Sequence, residues 1–125
     1  LGKCLFEKVG IIKNEQSLTE AFDYVKYSRQ ISYSLHCINK EKNNNVELTA
    51  ILELRNALEI SEAIILSAQK RKESRGAHFR EDYPFVSKHF DRSFVVKELK
   101  KGFFRISFKE NELLRQFRNL FMNKE

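Results

Sequence analysis

Residues 46–75 read VELTAILELRNALEISEAIILSAQKRKESR, a stretch with neither Gly nor Pro and with apolar residues on nearly every side in its middle. At 1.5 Å per residue this predicts one helix on the order of 45 Å long. A helix apolar on several sides is packed on several sides, so the stretch predicts the central element of the fold, and its polar members Glu53, Arg55, Asn56 and Glu59 need partners. Lys70, Arg71 and Lys72 fall in the last turns, where cations oppose the carbonyl end of the helix dipole. Gly76 is placed to take the left-handed closing position.

Working outward, SLTEAFDYVKYSRQISYSLHCIN (17–39) opens with Ser17 and carries Glu20 three residues later, the spacing of a capping box, which predicts a helix starting there. Leu18, Ala21, Phe22 and Val25 recur at helical steps, and Tyr24, Tyr27 and Ile31 widen the stripe. The polar run NKEKNNN (39–45) reads as a connector between antiparallel helices, because Asn forms turns more readily than helix interiors. Leu52, Leu58, Ile65 and Phe22 are the expected core.

After Pro84 the period changes. In RSFVVKELKKGFFRISF (92–108), Phe94 and Val96 alternate, then Phe104, Ile106 and Phe108, which predicts a β-hairpin turning near Gly102. The last segment repeats apolar residues at Leu114, Phe117, Leu120 and Phe121, one stripe of a terminal helix. The expected fold is therefore mainly α: a helical bundle over residues 1–90, with a hairpin and C-terminal helix over 91–125 packed on it.

A chain of 125 residues with 42% hydrophobic residues fits one domain with a real core. No run approaches the roughly 18 to 20 apolar residues of a bilayer span, so direct membrane insertion is not expected. Lys3, Glu7 and Lys8 interrupt the start as a signal peptide. The absence of an opening Met fits a piece cut from a longer chain. Cys4 and Cys37, with no CxxC spacing, read as reduced thiols of a cytoplasmic protein. The net charge of +6 permits nucleic acid, anionic lipid or acidic partners, but the basic residues are spread along the chain and form no nucleic-acid motif.

Charge is densest in RKESRGAHFREDYP (71–84). A metal site built from His78, Glu81, Asp82 and His89 matches no compact ligand spacing, and Arg75 and Arg80 would repel a cation. A Ser74–His78 nucleophile lacks a Gly-x-Ser-x-Gly elbow. With glycines only at positions 2, 10, 76 and 102, no Gly-rich phosphate loop can be assembled. His36 reads as a helix-surface histidine. Because Ala77, Phe79, Tyr83 and Pro84 are interleaved with the charges, the segment reads as a docking surface rather than a solvated helix end. Arg75 and Arg80 are expected to be partly exposed and paired with Glu73, Glu81 or Asp82.

The segment from Glu53 to Pro84 resembles the long helix and following loop in the C-terminal helical domain of the succinate dehydrogenase and fumarate reductase flavoprotein subunits and of L-aspartate oxidase. The shared form R-x-E-S-R-G-x-H-x-R-x-D is matched by Arg71, Glu73, Ser74, Arg75, Gly76, His78, Arg80 and Asp82. The start agrees too, since LGKCLFEKVGIIKNEQSL resembles that family's helix end, its turn at Val9 to Ile11 and the cap of the next helix.

The resemblance implies a three-helix bundle of the spectrin-repeat kind that docks on and braces a flavin-binding module of the same polypeptide. It implies FAD in the full-length enzyme. None is expected in this chain, nor are catalytic or metal-binding residues, and the chain alone is expected to be inactive. An iron-sulfur subunit is implied as a further partner, and a place at the inner face of the membrane through partner subunits. Within the family, LELRN (52–56) and FREDYP (79–84) lean toward L-aspartate oxidase, which serves NAD biosynthesis. The hairpin beyond Arg92 resembles the quinone-linked subunits, and the balance falls to the succinate and fumarate enzymes. A free-standing basic helical module is the alternative from another class.

Overall fold

A computed structural model describes residues 1–100 and 103–109. Helix α1 (Gly2–Val9) leads through strand β1 (Ile12–Lys13) into α2 (Glu15–Ser32), and α3 (Val46–Lys70) follows the Asn-rich connector. Strand β2 (Phe79–Arg80), a 3-10 turn over Lys88–Phe90, and strands β3 (Phe94–Lys100) and β4 (Phe103–Phe108) complete the order. The elements form a helical bundle carrying a small antiparallel hairpin. The turn expected at Gly102 and the terminal helix expected over 110–125 lie outside the described residues.

Helix α2 begins earlier than Ser17. Asn14 is its cap: the Ser17 amide donates to Asn14 Oδ1 at 2.9 Å and Ser17 Oγ accepts the Asn14 amide at 3.1 Å. Ser17 therefore takes the third helical position of the capping box, with Asn14 in the place the sequence reading gave it. The helix also ends early, at Ser32, where Arg55 of α3 donates to the Ser32 carbonyl through Nε and Nη2 at 3.1 and 2.9 Å. Asn45 caps α3 by accepting the Leu48 amide, and its Nδ2 donates to the carbonyls of Asn39 and Glu41, so it folds the connector as well.

The core lies between α2 and α3. Leu18, Ala21 and Val25 meet Leu58, Ile65 and Ala68, with Leu1, with Cys4, Leu5 and Val9 of α1, and with Phe22 packed against them. Leu58 and Ile65 are core as expected, whereas Leu52 is 48% exposed. The central helix is covered on fewer sides than its composition suggested, and Ile60 and Ile64 are left exposed as well. Among its polar members, Glu53 and Asn56 are exposed, and the buried charge is Glu62, paired with Arg29 of α2.

Hairpin β3–β4 forms where expected, in the register Phe94↔Phe108, Val96↔Ile106 and Glu98↔Phe104. Phe94 stacks on Phe108 at 4.9 Å, and His89 meets Phe108 edge-on at 5.2 Å. Among the described residues no helix is long and apolar enough to cross a membrane.

Candidate functional site

Helix α3 stops at Lys70, short of the expected Arg75. Arg71 turns to extended backbone, and the chain then folds back on itself through a small closed structure. Arg75 and His78 exchange both backbone hydrogen bonds, at 2.8 and 3.0 Å, around Gly76 and Ala77. Gly76 has φ +56, and a positive φ at the first central residue alone is the mark of a type II′ turn. So Gly76 does adopt the left-handed region, but it closes this turn and not the helix.

Glu73 is the hub of one half of the loop and is fully buried. Its carboxylate accepts from Arg71 Nη1 at 2.6 Å, Arg75 Nε at 3.2 Å and the Ser87 amide at 2.9 Å. Burial pushes this carboxyl upward, but the Ser87 amide and the Arg75 and Arg71 guanidiniums together outweigh burial and hold it below its ordinary value. Ser74 pins the two ends of the loop together. Its Oγ accepts the Arg80 amide at 2.8 Å and donates to the Tyr83 carbonyl at 2.8 Å, while its own amide donates to the Phe85 carbonyl.

Arg80 is the hub of the other half. It is fully buried, contrary to the partial exposure expected of it. Nε and Nη2 form a fork on Asp82 at 2.7 and 2.6 Å, Nη2 reaches Glu15 at 2.8 Å, and Nη1 donates to the Ala68 carbonyl at 3.0 Å. The last contact satisfies a carbonyl that the end of α3 leaves open, and the Tyr83 ring lies 5.1 Å from the guanidinium. A planar, permanently charged fork suits such a site, where three elements converge on one side chain. Asp82 and Glu81 also serve the start of α2: Asp82 accepts the Glu15 amide at 3.1 Å and Glu81 accepts from Asn14 Nδ2 at 2.8 Å. Arg75, by contrast, remains partly exposed and paired with Glu73 as expected, and adds an ion pair with Asp91 at 2.9 Å.

His78 Nε2 lies 3.1 Å from the Arg71 carbonyl, which can only accept, so the proton sits on Nε2. Burial lowers the pKa of this ring, and the charges of Lys13, Arg80 and Arg71 lower it further, against the raising effect of the carbonyl bond. Ser74 Oγ is committed to the backbone of Arg80 and Tyr83 rather than to His78. The four residues weighed as metal ligands are dispersed: His78 on Arg71, Glu81 on Asn14, Asp82 on Arg80 and His89 against Phe108.

The loop thus brings together every residue of the sequence motif, with Glu73 and Arg80 as its two charge centres. Sequence reasoning missed Lys13, Glu15, Ser87 and Asp91. An acidic residue in the first turn of α2 was a usable sign for Glu15, since carboxylates favour that end of a helix. Nothing local marks Lys13, whose buried Nζ donates to the Ile11 carbonyl at 2.9 Å.

Residues 1–113 match the family described as Fumarate reductase flavoprotein C-term. The chain belongs to that family. Among relatives of this flavoprotein C-terminal domain, an uncharacterized FAD-dependent oxidoreductase of Methanocaldococcus jannaschii is 31% identical over 86% of this chain and 19% of its own length. The L-aspartate oxidase of Pyrococcus horikoshii is 35% identical over 71% of this chain and 14% of its own length. The fumarate reductase flavoprotein subunit of Mycobacterium tuberculosis is 32% identical over 79% of this chain and 17% of its own length. A solved quinol fumarate reductase of E. coli shares the fold, with a TM-score of 0.82 at 23% identity over 87% of this chain and 19% of that one. The chain spans 14 to 19% of the length of these curated relatives.

The family is one of flavoproteins, yet neither the start of α2 nor the Gly76 turn of this domain fits the phosphates of FAD. A dinucleotide phosphate needs free amides at a helix N-terminus or a Gly-rich turn. At α2 those amides are taken by Asn14 and Asp82, and at the II′ turn they close the Arg75–His78 pair.

Proposed function

We propose that this chain is the C-terminal helical domain of an FAD-dependent dicarboxylate oxidoreductase of the succinate dehydrogenase and fumarate reductase kind, and that it docks on and braces the flavin module. Residues 1–90 act as the bundle, of spectrin-repeat type, and 91–125 as an extension packed on it. The flavin, held elsewhere in the polypeptide, supplies the hydride chemistry. This chain's residues supply rigidity, because a module that positions reacting groups needs a fixed support.

The observation that carries this reading is the Arg80 fork. One buried guanidinium ties the end of α3, the start of α2 and the 71–82 loop into a single body. Such a lattice fixes geometry, with Ser74 Oγ, the Glu73 carboxylate and the Asp82 carboxylate all engaged inside it. Arg71, Glu73, Ser74, Arg75, Gly76, His78, Arg80 and Asp82 then shape the docking side of the domain rather than perform a reaction. The 35% identity to an L-aspartate oxidase supports a second reading within the same family, in which the whole enzyme oxidises aspartate. An iron-sulfur partner, and through it a place at the inner membrane face, belongs to the first reading only.

The test is Arg75→Ala in this chain and in the full-length enzyme. Arg75 is partly exposed and solvent screens its ion pairs, so a mild change in unfolding of the chain is expected, with a large loss of flavin retention and turnover in the full-length protein. Small and equal effects in both would remove the docking role.

A further inference from the structure

The β1–β2 ribbon is inside out. Its register pairs Ile12 with Phe79 and Lys13 with Arg80. Successive side chains of a strand point to opposite faces, so each pair shares one face of the ribbon. The inner face carries the two cations, Lys13 at 5% and Arg80 at 0% exposure, while the outer face carries Ile12 at 61% and Phe79 at 40%. A ribbon that met only water on its outer side would be more stable the other way round, since apolar burial is favourable and a buried ammonium is not.

Parallel pairing points the same way. Parallel strands occur almost only in sheets covered on both faces. Here one face lies over the end of α3, where Arg80 reaches the Ala68 carbonyl, and the other is partly exposed. Apolar residues also continue along the chain on both sides of the ribbon: Ile11 precedes Ile12 at 66% exposure, and Phe85 and Val86, anchored through Ser74, are 83% and 65% exposed.

We propose that the outer face of this ribbon, centred on Ile12 and Phe79, is the seat of the flavin-binding module, which meets it with an uncharged, apolar surface. This rests on the flavoenzyme reading and adds to it the place and the chemistry of the contact. The occupant is part of the same polypeptide because the relatives of this domain are about five times its length. The charged loop beneath then serves to hold the ribbon: Ser74 fixes the Arg80 amide, and the Phe79 and Glu81 amides donate to Ile11 and Lys13.

The experiment uses the full-length protein and the 125-residue chain in parallel, each carrying Ile12→Asp together with Phe79→Asp. Ile60→Asp with Ile64→Asp, on the exposed stripe of α3, is the control. Flavin retained through gel filtration and cleavage by a protease between the modules are measured on the long protein, and thermal unfolding and sedimentation on the short one. The ribbon pair is expected to lower flavin retention at least about tenfold, a modest loss against burying two carboxylates, and to expose the junction to protease. The chain alone should unfold as before. If it does not, Phe79→Gln alone replaces the pair.

Unchanged retention, or equal loss from the α3 pair, overturns the ribbon as the seat. So does a dimer of the isolated chain that the ribbon pair splits, since the face would then serve a second copy. A wild-type full-length protein that purifies without flavin removes the underlying flavoenzyme reading instead, and is recognised before any substitution is made.

Discussion

Arg80 and Glu15 stand 65 residues apart in the chain and 2.8 Å apart in the fold. The contact joins the first turn of α2 to the loop that follows α3, and Asp82 closes it by gripping the same guanidinium and the Glu15 amide. The partners are unequal. Arg80 is fully buried, whereas the Glu15 side chain is 54% exposed.

That inequality sets the first prediction. Arg80→Ala leaves the Ala68 carbonyl without its side-chain donor and the Asp82 carboxylate without its charged partner, so a loss of about 3 to 5 kcal/mol is expected. Glu15→Ala removes only an exposed partner and should lose about 1 kcal/mol or less. Urea unfolding of the two variants checks this, and equal losses would show that the guanidinium is not desolvated.

Leu58→Ala should lose about 2 to 5 kcal/mol, because Leu58 is wholly enclosed between α2 and α3. Leu52→Ala, at a half-exposed position on the same helix, should change stability by about 0.5 kcal/mol or less. The ratio of the two, by chemical denaturation, tests the assignment of the core face.

Gly76→Ala meets no steric obstacle, since nothing lies within 4 Å of the added carbon, but it must hold a φ of +56. The expected loss is about 1 to 2 kcal/mol. Gly76→Asn should lose less, because Asn tolerates the left-handed region better. If Ala and Asn prove equally harmless, the II′ turn is not what this glycine is for.

Acid should lower the stability of the chain in two stages. Burial, with the Lys13, Arg80 and Arg71 charges, keeps the folded His78 pKa below its ordinary 6.5, so the unfolded chain binds the proton first and stability falls as pH drops below that value. Glu73 is held below its ordinary 4.5, so its contribution is complete above that value and is lost as pH falls through the lowered folded pKa. In His78→Gln the first stage should vanish and the second remain. A pH series of unfolding midpoints for both proteins decides it, and an unaltered first stage would assign that step to another group.

Local chemistry alone determined much of this fold. Helical spacing marked α2 and α3, alternation marked β3 and β4, and the polar Asn run marked the connector, because each signal depends on neighbours within a turn or a strand. The motif from Arg71 to Asp82 was also legible as a unit, since its residue types are contiguous. Tertiary structure decided what the motif does with its charges. Whether Arg80 faces solvent or the interior depends on Glu15 and Ala68, which the bundle brings to it from remote positions, and no local pattern encodes that approach. Nor does composition mark the end of α3 at Lys70, beyond which Ser74 bonds to Phe85 and Arg80 and not to a preceding helical turn. The inverted ribbon is the clearest case. Two-residue strands carry no readable period, and only their pairing across the fold reveals that Ile12 and Phe79 share the exposed face while Lys13 and Arg80 share the buried one.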